Sequence, residues 1–215
     1  FCANFDKNND GRLSYDEAAS VTVSEFNSAN HDRSKKITLF DEFQFFTGLS
    51  GGVVNLQRFV FDVGGSITIP NIPISVNTLI CSTITVRNTL NGSIHGSTLI
   101  LKEKANVRIE TGSFVNYVVD ENCERFCKVG DFVLSKDKTR LLYSDLTGAQ
   151  VVLPNTVQRV EDRAILGSTF TSIKVPNNVK YIGSHFSGMN LETVDIGENV
   201  EEISHYFCYN NAAMK

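Results

Sequence analysis

From about residue 60 onward the chain runs in short β-branched stretches of Thr, Val and Ile, interrupted by Asn, Gly and Pro. Alternating apolar and polar residues place every second side chain on one face of a strand. In the last third this pattern becomes a repeat. The segments VVLPNTVQRVEDRA, IKVPNNVKYIGSHF and VDIGENVEEISHYF align position by position. Leu153, Val175 and Ile196 are separated by 22 and 21 residues, and so are Val160, Ile182 and Ile203, and Ala164, Phe186 and Phe207. Each unit reads as a short strand (Ile173 with Val175, Val194 with Ile196), a turn, a V-x-x-I step (Val179 with Ile182, Val200 with Ile203) and an aromatic. One such unit cannot bury its own apolar face, whereas stacked copies can, so the repeat predicts a solenoid.

Upstream, GSITIPNIPISV, STITVRN and STLILKEKANVRIETGSF look like coils of the same kind with shorter spacing. Ile69 to Val86 is 17 residues and Val86 to Leu101 is 15. These coils are either trimmed or irregular. Between them and the regular repeats, FVLSKDKTRLLYS reads as a β-hairpin around a polar KDKT turn. The first fifty residues differ in style. SYDEAASVTVSEF and TLFDEFQFFTGL are helix-friendly, and the second predicts an amphipathic helix with Phe40, Phe43 and Phe46 on one side, covering the first coil. Gly51–Gly52 marks the change. The expected organisation is a small helical cap over residues 1–50 and a β-rich solenoid with short strands and turns over 51–215. Within the solenoid, irregular coils occupy 53–116, the hairpin 130–145 and the regular repeats 146–215.

One stretch of the cap carries chemistry. DKNNDGRLSYDE, from Asp6 to Glu17, fits the twelve-position loop that wraps a calcium ion in oxygen ligands. Asp6, Asn8 and Asp10 take positions 1, 3 and 5, and Gly11 falls at the sharp turn. Arg12 offers its backbone carbonyl, Leu13 is the apolar plug, Ser14 ligates directly or through water, and Glu17 closes the set. An Asn-Asp-Gly turn capping a helix is the plainer alternative, but it does not need Glu17 at that spacing, so calcium is the expected cofactor. A second loop starting at Asn30 puts Asn30, Asp32, Ser34 and Asp41 at ligand slots with Lys35 where Gly belongs. It is a degenerate partner or a plain loop. With the incoming helix cut to FCANF and no clear partner loop, the calcium is expected to be structural rather than sensory.

Composition narrows the function classes. The 215 residues are 41% hydrophobic and 20% charged, with net charge −4 and pI near 5.6. That profile suits an ordinary soluble protein and lacks the basic face of a nucleic-acid binder. No stretch is apolar for long enough to be a transmembrane segment. The chain starts at Phe1, as a processed or excised product would. Five cysteines leave at least one thiol unpaired within the chain, and Cys123 and Cys127 read as packed or free thiols more than as a zinc pair. Of the four histidines, His31, His95, His185 and His205, two sit beside Ser184 and Ser204, but no orienting acid or oxyanion hole accompanies them. There is no Gly-rich phosphate loop and no H-E-x-x-H. An enzyme is not expected.

The unit L-x-x-I-x-V-P-x-x-V-x-x-I-x-x-x-x-F, with the VLSKDKTRLL hairpin before it, resembles the leucine-rich repeats of BspA-like bacterial surface proteins. The resemblance is close over residues 117–215 and loose over 60–116. Ala164 stands where the family has Phe, and Gly197 where it has Pro. FCANFDKNNDGRLSYDEAASVT and ITLFDEFQFFTGL are similar to an EF-hand-like module that precedes such repeats in gut-commensal members. The resemblance implies a secreted or cell-surface, adhesin-like protein that binds a host or cell-surface protein or glycan. The register of the repeats places Gln150 and Val152, Ser172 and Lys174, and Thr193 and Asp195 on the outward face where a partner would sit. A structural spacer within a larger surface protein is the alternative. The chain stops at YNNAAMK, before the next strand is due; this end is either that of a fragment or a surface that meets another molecule.

Overall fold

Apolar ladders set the architecture. The computed structural model describes residues 2–29, 36–56, 59–107, 114, 116–144, 150–165, 170–184, 190–209, 211 and 213. The chain divides into two units, Phe1–Glu124 and Arg125–Lys215. Gly51–Gly52 lies inside the first of them.

In the first unit the strands are β1 (Ile37–Phe40), β2 (Val53–Val54), β3 (Phe61–Thr68), β4 (Ile74–Ile80), β5 (Thr83–Val86), β6 (Thr89–His95), β7 (Thr98–Leu101), β8 (Asn106–Val107) and β9 (Asn116–Val119). They form two parallel sheets, ordered β1-β3-β5-β7-β9 and β2-β4-β6-β8. Successive turns of the chain alternate between the sheets, so each coil contributes one strand to each. Ile67 pairs with Ile84 and Ile84 with Leu99, the steps of 17 and 15 residues seen in the sequence. Ile67, Ile69, Ile84, Val86, Leu99 and Leu101 point inward and are fully buried, facing Val54, Val76, Leu90, Ile94 and Val107 of the other sheet. This is a β-solenoid of short, uneven coils.

The N-terminal segment is less helical than expected. It holds two six-residue helices, α1 (Tyr15–Ser20) and α2 (Val23–Ser28), each opened by a capping box: Ser14 with Glu17, and Thr22 with Glu25. The amphipathic helix expected over TLFDEFQFF does not form. Ile37–Phe40 instead pairs in parallel with β3, and Asp41–Phe45 is a 3-10 turn. The reason lies in that pairing, which takes Ile37–Phe40 out of any helix; Phe40, Phe43 and Phe46, recurring every third residue, then line one face of a 3-10 turn. All three are buried, with Phe26 within 5.6 Å of Phe43 and Phe5 within 5.5 Å of Phe46, between ring centroids. The segment also closes the start of both sheets. β1 joins the first, and the Asn27 side chain takes the edge of β2, donating to the Val53 carbonyl at 2.9 Å and accepting from Asn55 N–H at 2.8 Å. Of the second-loop residues, Asn30, Asp32, Ser34 and Lys35 lie outside the described residues; Asp41 is exposed and accepts from the Thr68 hydroxyl at 2.7 Å.

The second unit begins with an antiparallel meander: β10 (Phe126–Val129), β11 (Phe132–Ser135) and β12 (Arg140–Ser144). The KDKT turn forms as expected, with Lys138 at φ 62° and Asp137 accepting from the Ser135 hydroxyl and the Thr139 amide. Then come β13 (Gln150–Val152), β14 (Arg159–Val160), β15 (Ser172–Lys174), β16 (Tyr181–Ile182), β17 (Thr193–Asp195) and β18 (Glu202–Ile203). β14, β16 and β18 extend the sheet of β12 in parallel, and β13-β15-β17 make a second sheet. Val151 pairs with Ile173 and Ile173 with Val194, the steps of 22 and 21 residues read from the sequence. Leu153, Val157, Val160, Phe170, Ile173, Val175, Val179 and Ile182 build the core. Ala164 stands in that core beside Ile165. At Gly197 an added Cβ would fall 2.6 Å from the Pro176 carbonyl oxygen, so the coil can approach its neighbour only without a side chain there. In the third coil the equivalent residues are less covered, with Ile196 38% and Ile203 44% exposed. Among the described residues no strand pairs beyond β17 or β18.

The inward and outward assignments are separable by mutation. Ile173→Ala should lower the unfolding free energy by about 2–5 kcal/mol, the range for emptying a packed aliphatic site. Val152→Ala, one register row away at 63% exposure, should change it by no more than about 0.5 kcal/mol. Urea unfolding of the two variants checks this; equal losses would refute the register.

Candidate functional site

The Asp6–Glu17 loop is closed by its own side chains. Gly11 at φ 83° and Asn9 at φ 58° take the left-handed conformation that bends it, costly for most residues and easy for Gly and Asn. Asp6 accepts from Gly11 N–H at 2.8 Å and Asp10 N–H at 3.3 Å, and Asn8 Oδ1 accepts from Asp10 N–H at 2.9 Å. Asp10 accepts from Arg12 N–H at 2.8 Å. Glu17 reaches across the base. Its Oε1 accepts from Lys7 and Asn8 N–H at 2.9 and 3.2 Å, and its Oε2 from the Ser14 amide and hydroxyl at 2.9 and 2.7 Å.

Those four bonds, the Ser14 pair foremost, hold the Glu17 carboxyl down to about 2 from its ordinary 4.5, because donors aimed at a carboxylate favour its charged form. The donor set of Asp6, Asn8, Asp10, Ser14, Glu17 and the Arg12 carbonyl is all oxygen, the chemistry a hard cation such as calcium takes. In the arrangement seen, the acidic side chains are engaged with loop amides. Among the described residues no three His, Cys, Asp or Glu side chains group closely enough to hold a metal.

The six positions of the expected recognition face do come together. Gln150, Ser172 and Thr193 form one register row of the β13-β15-β17 sheet, and Val152, Lys174 and Asp195 form the other. The intervening Val151 and Ile173 point into the core. All but the half-buried Ser172 are exposed. Lys174 Nζ lies 3.7 Å from Asp195 Oδ2 with both groups about two-thirds exposed. Such a pair contributes little to stability, about 0–1 kcal/mol.

The other sheet of the second unit carries a row the sequence reading missed: Arg140, Arg159, Tyr181 and Glu202 in consecutive register. Glu161 Oε1 accepts from Arg140 at 2.7 Å and Arg159 at 3.0 Å, and the Arg159 guanidinium sits 3.6 Å from the centre of the Tyr181 ring. The signal was present in R-V, Y-I and E-I, where the residue before each inward-facing β-branched one points outward. A Ser–His contact also lies elsewhere than the pairs considered: Ser93 Oγ is 3.0 Å from His95 Nε2, two residues along β6. His31, His185 and Phe186 are outside the described residues, while His205 packs edge-on against Tyr206. Cys81, Cys123 and Cys208 are free thiols, and Cys127 Sγ donates to the Ser135 carbonyl at 3.3 Å. Burial pushes Cys81 up to about 11, and its Sγ donates to the Gly65 carbonyl.

Residues 141–215, about a third of the chain, match the family described as the BspA type leucine rich repeat region (6 copies). Among solved structures, the chain is similar to the pneumococcal vaccine antigen PcpA, with TM-score 0.53 and 17% identity over 76% of this chain and 53% of that one. It is also similar to a leucine-rich repeat protein from Eubacterium ventriosum, with TM-score 0.45 and 15% identity over 83% and 63%. The chain therefore spans about half the length of the first and less than two thirds of the second. At 17% identity the likeness to PcpA is one of fold. No curated protein matches the chain. No helix is long and apolar enough to cross a membrane among the described residues.

The Glu17 clasp has a pH signature. A carboxyl depressed in the folded state contributes stability that is present above its unfolded value and lost as pH falls through the folded one. The clasp should therefore weaken between about pH 4.5 and pH 2. Urea midpoints of the parent chain should fall more steeply over that window than those of Glu17→Gln; parallel curves would refute the assignment.

Proposed function

We propose that this chain is a repeat-built recognition module of a bacterial surface or secreted protein, adhesin-like, whose binding face is the β13-β15-β17 sheet. One observation carries the reading. Six side chains from three successive coils stand in two straight rows on an open sheet face, backed by a packed core. A rigid flat face presents its side chains at little entropic cost on binding. The BspA type repeat match supports it, since leucine-rich repeats generally serve protein binding or scaffolding rather than catalysis, and the fold is like that of a pneumococcal vaccine antigen. The face is mixed in character, with an amide, hydroxyls, one exposed Val and an ion pair, which suits a protein or glycan surface of similar polarity.

A structural calcium ion in the Asp6–Glu17 loop belongs to the same proposal. Asp6, Asn8, Asp10, Ser14 and Glu17, with the Arg12 carbonyl, would hold it, and its charge would take over from loop amides in closing the turn. The role is to stiffen a segment that covers the first coil. A spacer role is the second reading, favoured by the lack of aromatic side chains on the proposed face, where interface hot spots usually need them.

Surface-immobilised extracellular-matrix proteins and a glycan array, probed with the isolated chain, separate the readings. A specific hit weakened at least about tenfold in Lys174→Ala/Asp195→Ala, the scale of a central contact, supports the recognition face. Silence across both panels favours the spacer, and a hit untouched by the double variant moves binding to another surface. For the metal, calcium should raise the melting temperature of the parent chain and not of Asp10→Ala, with no gain in hydrophobic-dye fluorescence. A large dye signal on adding calcium would point to a sensor that opens.

A further inference from the structure

A polar groove of about 480 Å³ lies in the first unit, along the ends of the β3-β5-β7-β9 sheet. Its floor follows from register. Arg87, Lys102 and Asp120 are each the first residue after β5, β7 and β9, whose last residues Val86, Leu101 and Val119 are paired in line. Three successive coils therefore deliver a cation, a cation and an anion to one row. Asp41, Glu103 and Lys104 complete the charged lining, three acids against three bases.

The groove is held in shape by its own bonds. Arg87 donates to Gln44 Oε1, Lys102 Nζ donates to Asp120 Oδ2 at 3.2 Å, and Thr68 Oγ1 donates to Asp41 Oδ1 at 2.7 Å. Side chains already fixed lose less entropy when a ligand arrives. Asn71 and Asn122 add amides, and Thr85 a hydroxyl.

The lining decides the ligand class. It holds no aromatic and no large aliphatic side chain, which leaves an apolar or flat aromatic ligand without a surface to bury against. Three carboxylates beside three cations leave the lining without net charge, so neither a phosphate or sulfate nor an ammonium gains a net attraction there. What remains is an uncharged ligand dense in hydroxyls and amides, able to donate and accept at once, and the volume falls in the range of small-ligand sites. We infer that this groove is a binding site for a neutral saccharide of about disaccharide size. It is a site in the first unit, independent of the recognition face proposed above.

The experiment titrates lactose, maltose and N,N′-diacetylchitobiose, each at millimolar concentration, into isotope-labelled full chain and follows backbone amide shifts. The expected result is saturable shifts at Arg87, Lys102 and Asp120 with at least one sugar. Arg87→Ala and Asn122→Ala should each weaken binding, the former by about tenfold, as for the loss of a hydrogen bond to a charged group. Asn122 is exposed, so its variant decides the matter if Arg87→Ala does not fold. Lys174→Ala/Asp195→Ala should bind the sugar unchanged, which separates this site from the recognition face. No shift with any of the three sugars overturns the inference. So does equal affinity in the groove variants, or binding of a sulfated disaccharide or an acidic peptide in preference to the neutral sugars.

Discussion

Everything in this protein depends on one constraint: a coil of fifteen to twenty-two residues cannot bury its own apolar side chains. Each coil offers only one to three inward residues per strand, and these lose water only when the next coil lies over them. Ile67, Ile84 and Leu99 in the first unit, and Val151 and Ile173 in the second, are buried because they stack in register. Ile196 and Ile203 show the converse. They hold the same repeat positions as Val175 and Ile182, yet are 38% and 44% exposed where, among the described residues, no further strand pairs.

The same constraint explains the starts of the sheets. An uncovered first coil would leave apolar residues and unpaired strand edges facing water. In the first unit a cluster of phenylalanines covers the apolar face, β1 extends one sheet, and the two-sided hydrogen bonding of Asn27 satisfies the edge of the other. In the second unit the antiparallel β10-β11-β12 meander supplies the first strand on which the parallel ladder builds. The Asp6–Glu17 loop belongs to the covering segment. Glu17 ties Lys7, Asn8 and Ser14 together and also caps α1, so one carboxylate fixes both the loop and the helix that follows.

Once the inward positions are committed to the core, the outward ones are free to vary in chemistry. The three surfaces described are products of that freedom. The β13-β15-β17 face is polar and flat, the Arg140–Arg159–Tyr181 row is charged and aromatic, and the groove at the strand ends of the first unit mixes three acids with three bases. None disturbs the packing beneath it, since each uses side chains that point away from the core or follow a strand end.

Much of this was legible in the sequence, because the repeat is a statement about covalent spacing. Steps of 22 and 21 residues, and of 17 and 15, reappear as strand registers, and alternation named the outward residues Gln150 through Asp195 before any contact was known. The oxygen-rich loop with Gly11 at its bend was likewise visible. The fate of TLFDEFQFF was not. Its Phe spacing of three suits a helix or a 3-10 turn, and only pairing of Ile37–Phe40 with β3 settles the choice, a contact with residues more than twenty positions away. The groove was hidden for the same reason. Arg87, Lys102 and Asp120 look unrelated in the chain, because coils of unequal length obscure their equivalence until the strands are laid side by side. The sequence alone determined which residues face inward, since that depends on local alternation. The tertiary structure decided which outward residues share a surface, since that depends on register between coils.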